Sequence, residues 1–217
     1  MFNAIRQVLL IVIVGGGLLL IYNAKSAKKG RWIVAVIVSG VGLVWLSSIF
    51  PPENLFVTFD SLESLAKYHG AQEVVYTLEG EDSCYIKYME DRTDSSVCIA
   101  KKVDGGYKIA TSHVNNQILN SIKDMMLSES YPTASIYTVR GTQDRFINDT
   151  ITTDNKEPQL SVVDADGNTV DCEIFSRMIV PDLGQAPYNF EICIYINNKN
   201  WSDNLFLVID GEESPLT

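Results

Sequence analysis

Acidic side chains are absent from the first 50 residues, whose only charges are Arg6, Lys25, Lys28, Lys29 and Arg31. Beyond that point the shortage reverses. Residues 51–217 hold 12 of the 17 basic residues and all 27 acidic ones, a net charge of −15. A surface of that sign repels phosphate, which excludes nucleic acid as a partner. Histidine is scarce too: His69 and His113 are the two in 217 residues, and neither has a cysteine or a second histidine at metal-ligand spacing. G-x-S-x-G, H-E-x-x-H, a phosphate-binding glycine loop and a dinucleotide fingerprint are all missing. The sequence therefore marks no catalytic, cofactor-binding or metal-ligating residue and implies no cofactor. Long-range disorder is excluded as well, because the chain is 46% hydrophobic and its acidic part carries regular apolar runs.

What is present at the start is apolar. Residues 4–22 carry one charge, Arg6 near their beginning, and residues 32–50 carry none. Each run has 19 residues, and about 20 residues of helix cross a hydrocarbon layer of about 30 Å. Tyr22 and Trp32 stand at the ends, where amphipathic rings favour an interface, and Pro51 with Pro52 stops the second helix. The expectation is a two-helix transmembrane hairpin with the bilayer as its partner, Gly15, Gly16 and Gly17 facing Gly40 and Gly42. A single span behind a cleaved signal peptide is the alternative. The basic loop 23–31 is expected inside, which puts both termini and the acidic domain outside the cell membrane.

The acidic part repeats itself. Residues 75–86 read VYTLEGEDSCYI and residues 136–147 read IYTVRGTQDRFI, an ungapped match at an offset of 61. Tyr76/Tyr137, Thr77/Thr138, Gly80/Gly141 and Ile86/Ile147 are identical. The offset also relates Ile99 to Leu160, Gly106 to Gly167, and two helix-start pairs, Asp60 with Glu63 and Ser121 with Asp124. Residues 51–58 are expected to be a linker. Two helix-plus-meander units are then expected, at 59–113 and 114–217. In the first, a helix over 60–69 turns Leu62, Leu65 and Ala66 inward, and strands lie near 73–79, 83–90, 96–102 and 107–111. In the second, a helix over 121–127 is followed by strands near 134–140, 144–150, 159–163 and 169–175. Glycine-bearing turns between alternating runs are hairpin chemistry. The joint at 111–120 suits a helix through Val114, Ile118 and Ile122. The order of helix then antiparallel meander loosely resembles small extracytoplasmic modules of the PepSY or cystatin-like type, a likeness of topology that carries no site.

The tail has no repeat counterpart. Phe190, Ile192, Ile194 and Ile196 alternate with Glu191, Cys193 and Tyr195, a half-buried strand, and residues 205–209 are apolar on both faces, a central strand. Both are expected to extend the second unit's sheet. Asp164, Asp166 and Asn168 imitate the start of a calcium loop, but Gly167 is out of place and a hairpin turn explains them. Asn148 and Asn200 lie in glycosylation sequons. The fold class expected is α+β, mostly antiparallel. The function expected is a membrane-anchored, extracytoplasmic binding or interaction module with a protein partner. Its alternatives are a regulatory subunit contacted through the hairpin, and a surface hydrolase built on His69 or His113 with a Ser and a carboxylate.

Cys84, Cys98, Cys172 and Cys193 are expected to be unbridged buried thiols, with Cys84–Cys98 and Cys172–Cys193 bridges as the alternative. Non-reducing peptide mapping checks this: crossed links such as Cys84–Cys193 contradict the strand order read above.

Overall fold

A computed structural model describes residues 4–23, 26–49, 51–118, 133–179, 187–201 and 204–216. Its sheets are mostly antiparallel and its helices few. The chain divides into two compact units, Met1–Tyr76 with Ile86–Thr111 and Thr77–Tyr85 with Ser112–Thr217. The tip of the first hairpin thus belongs to the second unit.

The first unit opens with α1 (Ala4–Asn23) and α2 (Ser26–Ile49). They pack where Gly17 meets the Val36 side chain, a place with no room for a Cβ. Val12, Leu19, Val34 and Val38 on the same helices are exposed. Among the described residues, however, no helix is long and apolar enough to cross a membrane. A span needs about 20 consecutive apolar residues of helix. The expected transmembrane hairpin is therefore not shown. The multi-pass location in the cell membrane, with outer termini and an inner loop, rested on those two spans and is corrected with them.

Within residues 51–58, Glu53 and Asn54 are buried. Asn54 acts as a surrogate strand: its amide donates to the Ile109 carbonyl at 2.7 Å and its side-chain oxygen accepts from the Ile109 amide at 2.9 Å. α3 (Leu62–Tyr68) buries Leu65 and Ala66, as its apolar spacing requires. Its cap is Ser61, in a reciprocal box with Ser64, and not the expected Asp60–Glu63 pair; Glu63 instead meets Lys67 one turn on, at 2.8 Å. β1 (Glu73–Glu79), β2 (Ser83–Met89), β3 (Ser95–Val103) and β4 (Gly106–Ile109) form a four-stranded meander in that order. Phe59 exchanges two 2.8 Å hydrogen bonds with Tyr107 at its edge. Gly106 is required there, because a Cβ would strike the Phe59 carbonyl.

The second unit departs from a copied meander. Residues 112–118, a helix candidate in the sequence, are a strand, β5 (Ser112–Ile118), paired with β6 (Thr133–Val139). Seven ladder pairs outweigh the weak helical spacing of Val114 and Ile118. β7 (Asp144–Thr153) follows, but β8 (Leu160–Val163) leaves this sheet. β9 (Glu173–Met178) lies at its edge because β10 (Tyr188–Asn197) inserts between β7 and β9, giving the order β5-β6-β7-β10-β9. β11 (Phe206–Ile209) sits between β12 (Glu212–Pro215) and β8 in a separate three-stranded sheet. The second helix-plus-meander is thus corrected to two sheets. The helix expected at 121–127, with Ser121 and Asp124, lies outside the described residues.

The two sheets share one core. Ile136, Ile147, Ile151, Phe190, Ile192, Ile194 and Ile196 from the larger pack with Val162, Leu205, Leu207 and Leu216. β10 is the middle of it and is buried on both faces, not half-buried as its alternation suggests, because Cys193 and Glu191 on its second face are also covered. Leu207 is 2% exposed, so Leu207→Ala should cost about 2–5 kcal/mol in urea unfolding. Phe56→Ala, at a side chain 71% exposed, should stay within about 0.5 kcal/mol.

Candidate functional site

The second face of the five-stranded sheet carries an aromatic row. Ladder pairing sets Tyr137 beside Phe146 and Phe146 beside Tyr195. Tyr85, from the hairpin tip, covers the row with ring centroids 5.5 Å from Tyr137 and 5.7 Å from Phe146. Burial raises the Tyr137 and Tyr195 hydroxyls above their ordinary value, so both stay neutral donors.

Asp144 closes one end of that row. It is 1% exposed, and its carboxylate accepts from Ser83 Oγ at 2.7 Å, the Asp82 amide at 2.9 Å, Tyr195 Oη at 3.0 Å and the Glu81 amide at 3.3 Å. Four donors from a turn and a phenol satisfy this buried carboxyl group. Gly80 is obligatory beside it, since a Cβ would lie 2.7 Å from Asp144 Oδ2. The arrangement holds a serine next to a carboxylate, but Ser83 is fully buried and donates its proton to Asp144. Burial closes Ser83 off from solvent, and the bonds of the cluster anchor the turn.

Clefts among the described residues of this unit include a larger and a smaller one. The larger, about 710 Å³, is lined by Thr152, Asp154, Asn155, Asp210, Glu212 and Glu213, with the apolar Pro187 and Ile209 beside them. Asp210 occupies the left-handed region at φ 53° in an Asp-Gly turn between β11 and β12. Its carboxylate accepts from the Asn155 amide group at 2.9 Å, the Gln159 backbone amide at 3.0 Å and Thr153 Oγ1 at 3.0 Å. The Gln159 amide, then Asn155, holds this carboxyl below its ordinary range, so it stays ionised. The smaller cleft, about 410 Å³, includes Glu81, Cys172, Glu173, Tyr195 and Lys199. Burial and then Asp171 push the Cys172 thiol up, which leaves it neutral and a poor nucleophile.

The residues singled out in the sequence are not assembled. His69 caps α3 and sets its ring edge-on to Tyr88 at 6.5 Å, while His113 lies on β5 opposite Thr138. Among the described residues, neither cleft has a histidine in its lining. Asp164 spends its carboxylate on the Asp166 and Asn168 amides of its own turn. Asn148 is on central β7 opposite Cys193, and Asn200 is exposed in a single helical turn. All four cysteines are thiols. Burial pushes Cys98 up to about 12. The β9–β10 register sets Cys193 against Phe175 and ends at Tyr195 with Glu173. Cys172 is therefore three positions out of register, about 10 Å along the strand, beyond the reach of a disulfide. Asp144 and Asp210 went unmarked in the sequence because their donors lie about 50–60 residues away.

No family model, no curated protein and no solved structure matches the chain. Asp144→Ala leaves the turn amides and Ser83 without an acceptor and should cost about 2–4 kcal/mol in urea unfolding. Asp144→Asn, which keeps acceptor capacity on one atom, should cost less.

Proposed function

We propose that the chain is a non-catalytic binding module that takes a cationic segment of a partner protein into the larger cleft. One observation carries this reading: Asp154, Asp210, Glu212 and Glu213 converge on one concave surface, and Asp210 is already fixed there by three donors. An immobilised, ionised acceptor spares a ligand the cost of ordering it. The net charge of −15 across residues 51–217 adds long-range attraction for a basic partner. β12 bounds the cleft as the edge of its sheet, and Glu212 and Glu213 on it oppose pairing with an uncharged strand.

A synthetic lysine-rich peptide tests the reading, with a glutamate-rich peptide of equal length as its control. Titration calorimetry should show binding of the first alone, weakening as salt screens the charges. The triple variant Asp154→Asn, Glu212→Gln, Glu213→Gln removes three charges and leaves Asp210 in place. It should lose roughly tenfold in affinity, at about 0.5 kcal/mol per rim charge. Equal binding by parent and variant sinks the proposal.

A further inference from the structure

The core face of β7 contains a carboxylate. Ile147 and Ile151 belong to the buried cluster of the sandwich, and Asp149, midway between them, shares their face and is 4% exposed. Its neighbour across the ladder is Ile192, fully buried and itself flanked by Phe190 and Ile194. Asp149 Oδ1 accepts from the Thr150 amide at 2.7 Å, a bond to the next residue along the chain.

The described surroundings are mainly apolar. β10 turns Phe190, Ile192 and Ile194 to this face, while its Glu191 lies on the other with Arg177 of β9, 3.2 Å away. β9 contributes Ile174, Ser176 and Met178 in register with those three, and the opposing sheet contributes Val162 and Leu207. β6 contributes Ile136. Among the described residues, the charged groups of this face stand at the two ends of β7, where the register also places His113 of β5, opposite Thr138. Arg145 lies over the Trp201 ring at 4.2 Å, and Asp210 is tied to Thr153. An ionised carboxylate placed among isoleucines without a cation is costly, whereas the neutral acid is a tolerable polar group.

We propose that Asp149 is a pH-sensitive latch in the sandwich: neutral, it closes the isoleucine face, and ionised, it draws water in and loosens β7 and β10 from the opposing sheet. Burial, offset in part by the Thr150 amide, pushes this carboxyl up from 3.8 to about 6. The folded value is the higher one, so the stabilisation is fully present below about 4 and is lost as pH rises through about 6. The core tightens on acidification, opposite to the behaviour of an ordinary paired carboxylate.

Two measurements on the full chain test this. Carboxyl carbon-13 NMR should give Asp149 a midpoint near 6, and a midpoint near 4 overturns the proposal. In urea unfolding, the unfolding equilibrium constant of the parent should rise roughly tenfold more between pH 5 and 7.5 than that of Asp149→Asn. Parallel pH profiles for the two proteins overturn it as well. If Asp149→Asn does not fold, the NMR midpoint decides alone.

Discussion

Within the second unit, a single carboxylate, Asp144, holds the hairpin tip that carries residues 81–83 in place. Its partners are the amides of residues 81 and 82, the Ser83 hydroxyl and the Tyr195 phenol. None of these bonds is exceptional alone, at about 1.5–3 kcal/mol for a charged acceptor. Their effect is positional. They fix the turn, the turn sets Tyr85 over Tyr137 and Phe146, and the covered aromatic row lets β10 run buried on both faces. Remove the anchor and the sheet presents a ring-lined, half-polar face to water.

With one face against that row and the other against the isoleucine cluster, β10 and the first half of β7 are an interior layer through most of their length. Polar groups that remain inside it must then be reconciled with burial one by one. Glu191 meets Arg177. Cys193 serves as a small apolar group, fully buried. Asp149 has a backbone amide and no cation described beside it. Polar, ligand-accessible surface is displaced to the sheet ends, where the turn at Asp210 and the strand end at Thr152 and Thr153 border the larger cleft.

Local patterns were legible in the sequence and their assembly was not. Alternation and glycine turns located β1, β2, β3, β6, β7 and β10 to within a few residues, because those signals depend on neighbours along the chain. Strand order depends on partners far apart. Nothing local says that β10 separates β7 from β9, or that β8 joins β11, and the repeat argued for the wrong grouping. The helix cap moved from Asp60 to Ser61 for a similar reason, since several acceptors compete within one short stretch. The larger cleft was half visible. An Asp-Gly pair is turn chemistry, but the donors that make Asp210 a fixed acceptor come from residues 153–159.

The offset of 61 has a physical counterpart. Ser83 and Asp144 occupy equivalent positions in the two hairpins and bond to each other, and Tyr85 and Phe146, also equivalent, are in ring contact. A position that touches its own equivalent is what a two-fold axis produces between identical halves. Identical halves would face serine with serine, or aspartate with aspartate, and the second choice buries two like charges. Joining both hairpins in one polypeptide lifts that restriction, so one side can be the donor and the other the acceptor. Complementarity at this contact is therefore available to a single chain carrying both hairpins and closed to a symmetric pair of one.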